Sequence, residues 1–190
     1  MNLPNKLTIA RIVAVPFFIF CYMKGFFIGA LIIFIVASFT DMLDGKIARK
    51  YNLITNFGKI MDPLADKILI YSAFCLLTAD GTVPAWMFII ILAREFLVAG
   101  VRTVAASEGI VIAADMSGKI KTVLQMIAVP LLILYKILTS NRYGFYPGVS
   151  EWSVAGLVDI LGKVFLWGAL IMTIVSGAEY VLKNKSLFKQ

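Results

Sequence analysis

Four aspartates stand at spacings that could do chemistry. Asp41 and Asp44 are three apart in DMLDGKIAR, and Asp62 and Asp66 are four apart in IMDPLADK. On helices, both spacings put the two carboxylates of a pair on one face. The intervening GKIARKYNLITNFGK is polar and carries a glycine near each end. It reads as a turn that brings the second pair back to the first. Four converging carboxylates would repel one another, and burying them unpaired would be costly or would protonate them. Hard divalent cations such as Mg²⁺, Mn²⁺ or Ca²⁺ answer this, and four carboxylates could hold two of them. Such a pair would grip a diphosphate and offset the charge on a leaving phosphate. Gly45 and Gly58 would let a nucleotide approach the backbone, and Arg49 offers forked donors to phosphate. The competing reading is helix capping, which suits Asp62 near a helix start. Asp41 and Asp44 are read as ending a helix, where the dipole disfavours anions, so a cation is expected beside them.

The rest of the composition narrows the chemistry. The chain contains no histidine, which excludes Ser–His–Asp and Cys–His catalysis and imidazole metal ligands. Its two cysteines, Cys21 and Cys75, lie singly in apolar runs and read as small packed residues, not a redox pair. Acid–base or metal chemistry is left to carboxylates, amines and hydroxyls.

The elements that must position these groups are apolar. Of 190 residues, 61% are hydrophobic, and the mean hydropathy is +0.91. The excess comes in blocks, which points to a bilayer as the solvent. Six segments are expected, at Thr8–Met23, Phe26–Leu43, Lys59–Leu77, Val83–Ala105, Ile120–Leu138 and Val154–Leu182. The fold class is therefore an all-α integral membrane protein of six transmembrane helices, with residues 1–190 as a single domain. MNLPNKLTIARI is not followed by a small-residue cleavage site, so the first run is read as a span and not as a signal peptide.

Eighteen Lys and Arg against eleven Asp and Glu give a net charge of +7. Here that surplus is read as topology, not as nucleic-acid binding. With both termini on the cytoplasmic side, Lys6, Lys46, Arg49, Lys50, Lys59, Lys119, Lys121, Lys183, Lys185 and Lys189 lie inside. Of the basic residues in and near the connections, Lys24, Lys136 and Arg142 make up the outside set. This fits the positive-inside rule and puts the aspartates on the cytoplasmic face. Trp86 and Trp152, beside outer connections, suit an aromatic belt.

A second charged set follows. AREFLVAGVR places Arg94, Glu95 and Arg102 in an apolar helix, and GKIKTVLQ places Lys119, Lys121 and Gln125 at a helix start. Arg94 and Arg102 are two turns apart and share a face. Arginines in a membrane span are expensive, and an anionic phosphomonoester would compensate them. The plainer alternatives are that Arg94 pairs with an acid such as Glu95, that Arg102 snorkels to the interface, and that Lys119 marks topology.

The aspartate pattern, from Asp41-Met-Leu-Asp44-Gly45-Lys-Ile-Ala48-Arg49 to Gly58-Lys-Ile-Met-Asp62-Pro-Leu-Ala-Asp66, resembles the D-x-x-D-G-x-x-A-R-x8-G-x3-D-x3-D signature of the CDP-alcohol phosphatidyltransferases. Every fixed position is present. The resemblance implies that an acceptor hydroxyl attacks the β-phosphorus of a CDP-linked lipid and CMP leaves. By position, Asp41, Asp44 and Asp62 would bind two divalent cations, Mg²⁺ or Mn²⁺, and Asp66 would be a metal ligand, the proposed general base, or both. Gly45, Ala48, Arg49, Thr55 and Gly58 would line the CDP site, joined by Asn5 and Thr8 of PNKLT. A homodimer in a bacterial cell membrane is also implied.

AREFLVAGVR and GKIKTVLQ are similar to the glycerol-phosphate-using branch of that family. This implies CDP-diacylglycerol as donor, glycerol 3-phosphate as acceptor and phosphatidylglycerophosphate as product. Arg94, Arg102, Lys119 and Lys121 would then hold the acceptor phosphate. An inositol-phosphate-using member would want similar cations. Outside the family, a divalent-cation transporter also lines its path with carboxylates. Such a site is expected near the midplane at broken helices, not at a membrane edge beside a Gly/Arg loop.

Overall fold

Each apolar run becomes one helix. The computed structural model describes residues 3–50, 56–107, 109, 110, 112, 115–140, 142 and 154–185. The side chains of 3, 4, 41–50, 56–60, 62, 63 and 66 lie outside that description. The helices are α1 Leu3–Met23, α2 Phe27–Lys50, α3 Asn56–Ala79, α4 Ala85–Ser107, α5 Met116–Thr139 and α6 Val154–Lys183. No strand occurs among the described residues.

The helices outrun their expected limits, α2 by the most. α2 was expected to stop at Leu43 but continues to Lys50, and α3 begins at Asn56. Most of GKIARKYNLITNFGK is thus helical, and residues 51–55 between the two helices lie outside the described residues. Asp41 and Asp44 therefore sit within α2 and not at its dipole-disfavoured end. The physical reason lies in the added turns: Ala48, Arg49 and Lys50 are good helix formers, and basic residues suit a C-terminus. The dipole argument for a cation fails, while the shared face of Asp41 and Asp44 stands on firmer helical ground.

Glycine sets two of the sharp turns. At the end of α1, the Gly25 N–H donates to Tyr22 O at 2.9 Å and the Phe26 N–H to Cys21 O at 2.8 Å. The same pair of bonds closes α4 at Gly109 and Ile110. This Schellman cap demands a left-handed residue, and Gly25 (φ 71°) and Gly109 (φ 75°) supply it without a Cβ clash.

α1 packs against α2 and α3, and α5 lies along α6, with α2 and α3 also touching α5 and α4 leaning on α6. Phe18, Phe34, Phe74, Leu77, Ile91, Leu132 and Ile133 are buried between them. The α5–α6 approach depends on Gly162, where a Cβ would come within 2.9 Å of Leu132 Cδ2.

The outer surface is as apolar as the core. Phe17, Phe20, Phe39, Ile89, Phe96, Val164 and Ile171 are all exposed. In water, a girdle of this kind would be a large aggregation-prone patch; in a bilayer it is the lipid face. Cys75 belongs to this exposed surface and not to the core, and both cysteines are free thiols. Among the described residues, three helices are long and apolar enough to cross a membrane: Asn5–Met23, Met116–Thr139 and Val154–Lys183. Phe27–Thr40 and Lys67–Ala79 are shorter apolar stretches. α4 interrupts its apolar run with Arg94, Glu95 and Arg102. The chain is a multi-pass membrane protein.

One end of the bundle is tied by Asp80, in the turn after α3. Tyr22 donates its hydroxyl to Asp80 Oδ2 at 2.5 Å, and Thr82 donates its N–H to Oδ1 at 3.1 Å. Lys136 Nζ lies 3.3 Å from Oδ2. Arg142 braces the same end, donating to Lys24 O at 2.7 Å and lying 3.8 Å over the Phe26 ring. Trp86 pairs with Trp167 there, at 5.8 Å between ring centres, while Trp152 lies outside the described residues. Burial raises the Asp80 pKa, but the hydrogen bonds from Thr82 and Tyr22 and the charge of Lys136 outweigh it. The carboxyl is held below its ordinary value of 3.8. A depressed folded-state pKa contributes stability above the unfolded-state value, which is lost as pH falls through the folded one. Asp80→Asn is thus expected to lower the Tm of the detergent-solubilised chain at pH 7. The gap to wild type should close only as pH drops below the ordinary aspartate range. A gap that does not change with pH would show that the charge of Asp80 contributes nothing.

Candidate active site

The Asp80 turn and the α1–α2 turn share one end of the bundle, because Tyr22 bonds Asp80. The C-terminal half of α2 and the N-terminal half of α3 therefore point to the opposite end. Asp41 and Asp44 lie on the first of these and Asp62 and Asp66 on the second. Their side chains lie outside the described residues, as do those of Gly45, Ala48, Arg49 and Gly58. Thr55 lies wholly outside them. No cluster of three or more acidic, Cys or His ligands occurs among the described side chains. The chemistry of the four carboxylates as a donor set fits hard divalent cations.

At this same end, a cavity of about 440 Å³ opens between α3, α4, α5 and α6. It is lined by Lys67, Arg94, Glu95, Arg102, Asp115, Lys119, Lys121, Thr122 and Tyr180, among others. All four cations expected to hold an acceptor phosphate, Arg94, Arg102, Lys119 and Lys121, come together here. Five cations face two carboxylates, so the lining carries a positive surplus.

The four do not play equal parts. Lys121 is 3% exposed and bonds Glu95. Arg94 Nη1 donates to Glu95 Oε1 at 2.8 Å, so the plainer reading of Arg94 as an ion-pair partner holds alongside its place in the cavity wall. Its Nε is buried and has no hydrogen-bond partner among the described residues. Arg102 is exposed, with Nε 3.3 Å from the Tyr180 hydroxyl and its guanidinium 5.8 Å from the centre of that ring. Lys119 is exposed and makes no ion pair with a described residue. Arg102 and Lys119 are thus the cations most open to an incoming anion.

Several lining residues escaped the sequence reading. Lys67 directly follows Asp66 and could have been noticed there. Tyr180 lies far along α6, and a tyrosine in an apolar helix carries no signal of its own. Gly118 and Gly177 matter for what they lack. A Cβ at Gly118 would lie 3.3 Å from Arg94 Nη2, and one at Gly177 would lie 3.2 Å from Arg94 Cγ. The two glycines form the slot that holds the Arg94 side chain between α5 and α6.

On α1, Asn5 and Thr8 are buried, and Arg11 joins them on the same face at 2% exposure. The sequence reading did not single out Arg11. A second, apolar groove of about 520 Å³ runs between α2 and α5, lined by Phe34, Phe39, Val123, Met126 and Pro130. Val123 also lines the polar cavity, so one side chain borders both spaces. The geometry combines a cation-rich pocket, an apolar groove and a helix pair bearing four carboxylates. Together these could seat a phosphorylated small molecule beside an amphiphile with a charged head.

Comparison with known sequences agrees. The chain is 42% identical to CDP-diacylglycerol–glycerol-3-phosphate 3-phosphatidyltransferase of Bacillus subtilis (strain 168), over 99% of this chain and 97% of that protein. It is 41% identical to the protein of that name in Rickettsia felis, over 98% and 97%. To that of Mycoplasma genitalium it is 30% identical, over 91% and 83%. The profile of the CDP-alcohol phosphatidyltransferases matches residues 1–175, nearly the whole bundle and all four aspartates. The chain belongs to the CDP-alcohol phosphatidyltransferase family.

Proposed function

We propose that the chain transfers the phosphatidyl group of CDP-diacylglycerol to sn-glycerol 3-phosphate, releasing CMP and forming phosphatidylglycerophosphate. The observation that carries the acceptor is the cavity in which Arg94, Arg102, Lys119 and Lys121 meet, at the end of the bundle that holds the aspartate helices. A phosphomonoester dianion matches that surplus of charge, and guanidinium forks suit its oxygens.

In this reading, Arg102 and Lys119 take the acceptor phosphate from solvent and Arg94 holds it against the α4 wall. That anchors the free hydroxyl toward α3, where Asp66 receives its proton. The hydroxyl oxygen bonds to the β-phosphorus as the bond from that phosphorus to CMP breaks. Holding both reactants in place turns a bimolecular step into a local one. Asp41, Asp44, Asp62 and Asp66 would hold two divalent cations, Mg²⁺ or Mn²⁺, which when bound offset the charge of the diphosphate and of departing CMP. Asn5, Thr8, Gly45, Ala48, Arg49, Thr55 and Gly58 are assigned to the CDP head. The groove between α2 and α5 is assigned to an acyl chain, so that the lipid need not leave the bilayer.

All six helices cross the membrane in this proposal. Both termini and the site are assigned to the cytoplasmic side, where a soluble polyol phosphate is at hand; the distribution of basic residues supports this reading. A bacterial cell membrane is the setting. The resemblance also carries a homodimer, which mass measurement of the detergent-solubilised chain would check.

The test is CMP release by the purified chain given CDP-diacylglycerol, Mg²⁺ or Mn²⁺ and a panel of alcohols. Release with glycerol 3-phosphate is expected, and no release with any acceptor would sink the enzyme reading. Release with inositol phosphate alone would overturn only the acceptor. Asp66→Asn should lower turnover by about 10²-fold or more, because it removes a proton acceptor at the reacting centre. Near-normal turnover would remove Asp66 from the reaction. Arg102→Ala should raise the KM for glycerol 3-phosphate roughly tenfold and leave that for CDP-diacylglycerol within about twofold. Equal rises in both would mark Arg102 as structural.

A further inference from the structure

A carboxylate stands out in a cavity otherwise suited to anions. Glu95 is only 11% exposed, yet it is the meeting point of three of the five cations. Its Oε1 accepts from Arg94 Nη1 at 2.8 Å and from Lys121 Nζ, and its Oε2 lies 3.5 Å from Lys67 Nζ. These cations come from α4, α5 and α3 respectively. Lys67 is the residue directly after Asp66, so Glu95 links the wall of the cavity to the helix that carries the second aspartate pair. Arg94 is further fixed by the slot between Gly118 and Gly177. The remaining two cations, Arg102 and Lys119, are exposed and pair with no described carboxylate.

We infer that Glu95 is a positioning residue for the acceptor site. It gathers Lys67, Arg94 and Lys121 into one fixed wall, and its own charge limits how strongly that wall draws anions. This inference rests on the reading of the cavity as the acceptor site. The physical case is one of opposing effects. Without Glu95, three like charges repel and spread, and an arriving phosphate collapses them around itself in whatever arrangement binds best. Anion affinity rises because a competing negative charge is gone. Reactivity falls because donors that must reorganise no longer hold the hydroxyl in line with the reacting phosphorus. Loss of the Lys67 link also frees the cavity wall from the α3 turn that follows Asp66.

The test uses the full chain in detergent, with inorganic phosphate as the probe of the cavity. Glu95→Gln keeps the size and a hydrogen-bonding group but removes the charge. It should lower kcat by about tenfold or more while phosphate inhibits about threefold more tightly than in wild type. A merely structural role would weaken both, and that result overturns the inference. A kcat within twofold of wild type overturns it too. Glu95→Asp keeps the charge but shortens its reach to three partners. It should lower kcat with phosphate inhibition within about twofold of wild type, and it decides the matter if Glu95→Gln does not fold. Unchanged kcat in that variant counts against positioning. If wild-type chain releases no CMP with any acceptor, the proposed function fails. Glu95 is then judged on phosphate binding by calorimetry alone: tighter binding in Glu95→Gln upholds its role, and equal or weaker binding overturns it.

Discussion

The structure is governed by the cost of charge inside a bundle that faces lipid. A unit pair about 4 Å apart attracts by roughly 1 kcal/mol in water but by about 4 kcal/mol at the effective dielectric near a protein surface. Charges placed along such helices must therefore find one another. Glu95 with Arg94, Lys67 and Lys121 is the clearest result, a carboxylate and three cations drawn from three helices. Removing Glu95 would leave three cations uncompensated in a poorly hydrated place. Glu95 thus links α3, α4 and α5 at that end of the bundle.

The same constraint makes the two ends of the bundle different. At one end Asp80 is saturated by Tyr22, Thr82 and Lys136, and its role is to tie α1, α3 and α5 together. At the other end the cations outnumber the carboxylates around an open cavity. Unbalanced charge of this kind is a poor way to hold helices together and a good way to attract an anionic molecule. The aspartate-bearing halves of α2 and α3 and the cation-lined cavity share that end because the helices alternate in direction. The apolar groove between α2 and α5 shares Val123 with the lining of that cavity.

Much of this was legible from the chain because the signals were local. Six long apolar runs announced six helices, and the aspartate spacing announced paired carboxylates on helical faces. Arg94 and Arg102, two turns apart, do share the cavity wall, joined by Lys119 and Lys121 as expected. The failures were also physical. α2 was ended too early, because a switch from apolar to polar residues was taken for the end of the helix, when Ala48, Arg49 and Lys50 favour helix as well as any apolar run. Cys75 was placed in the core and faces outward. Glu95 was seen only as a possible partner of Arg94, since nothing in its immediate neighbours points to Lys67 or Lys121.

By itself, the sequence determined the solvent, the number of helices and the kind of chemistry. Hydropathy and helix spacing act over a few turns, and a chain without histidine must work through carboxylates and cations. Tertiary structure alone decided which side of each helix turns inward. In a bilayer the lipid face is as apolar as the core, so hydrophobicity cannot mark the buried face as it does in water. Packing marks it instead, at Gly162 against Leu132 and at Gly118 and Gly177 around Arg94. That rotation is what carries Lys67, Arg94, Lys121 and Tyr180, far apart along the chain, to the walls of one cavity.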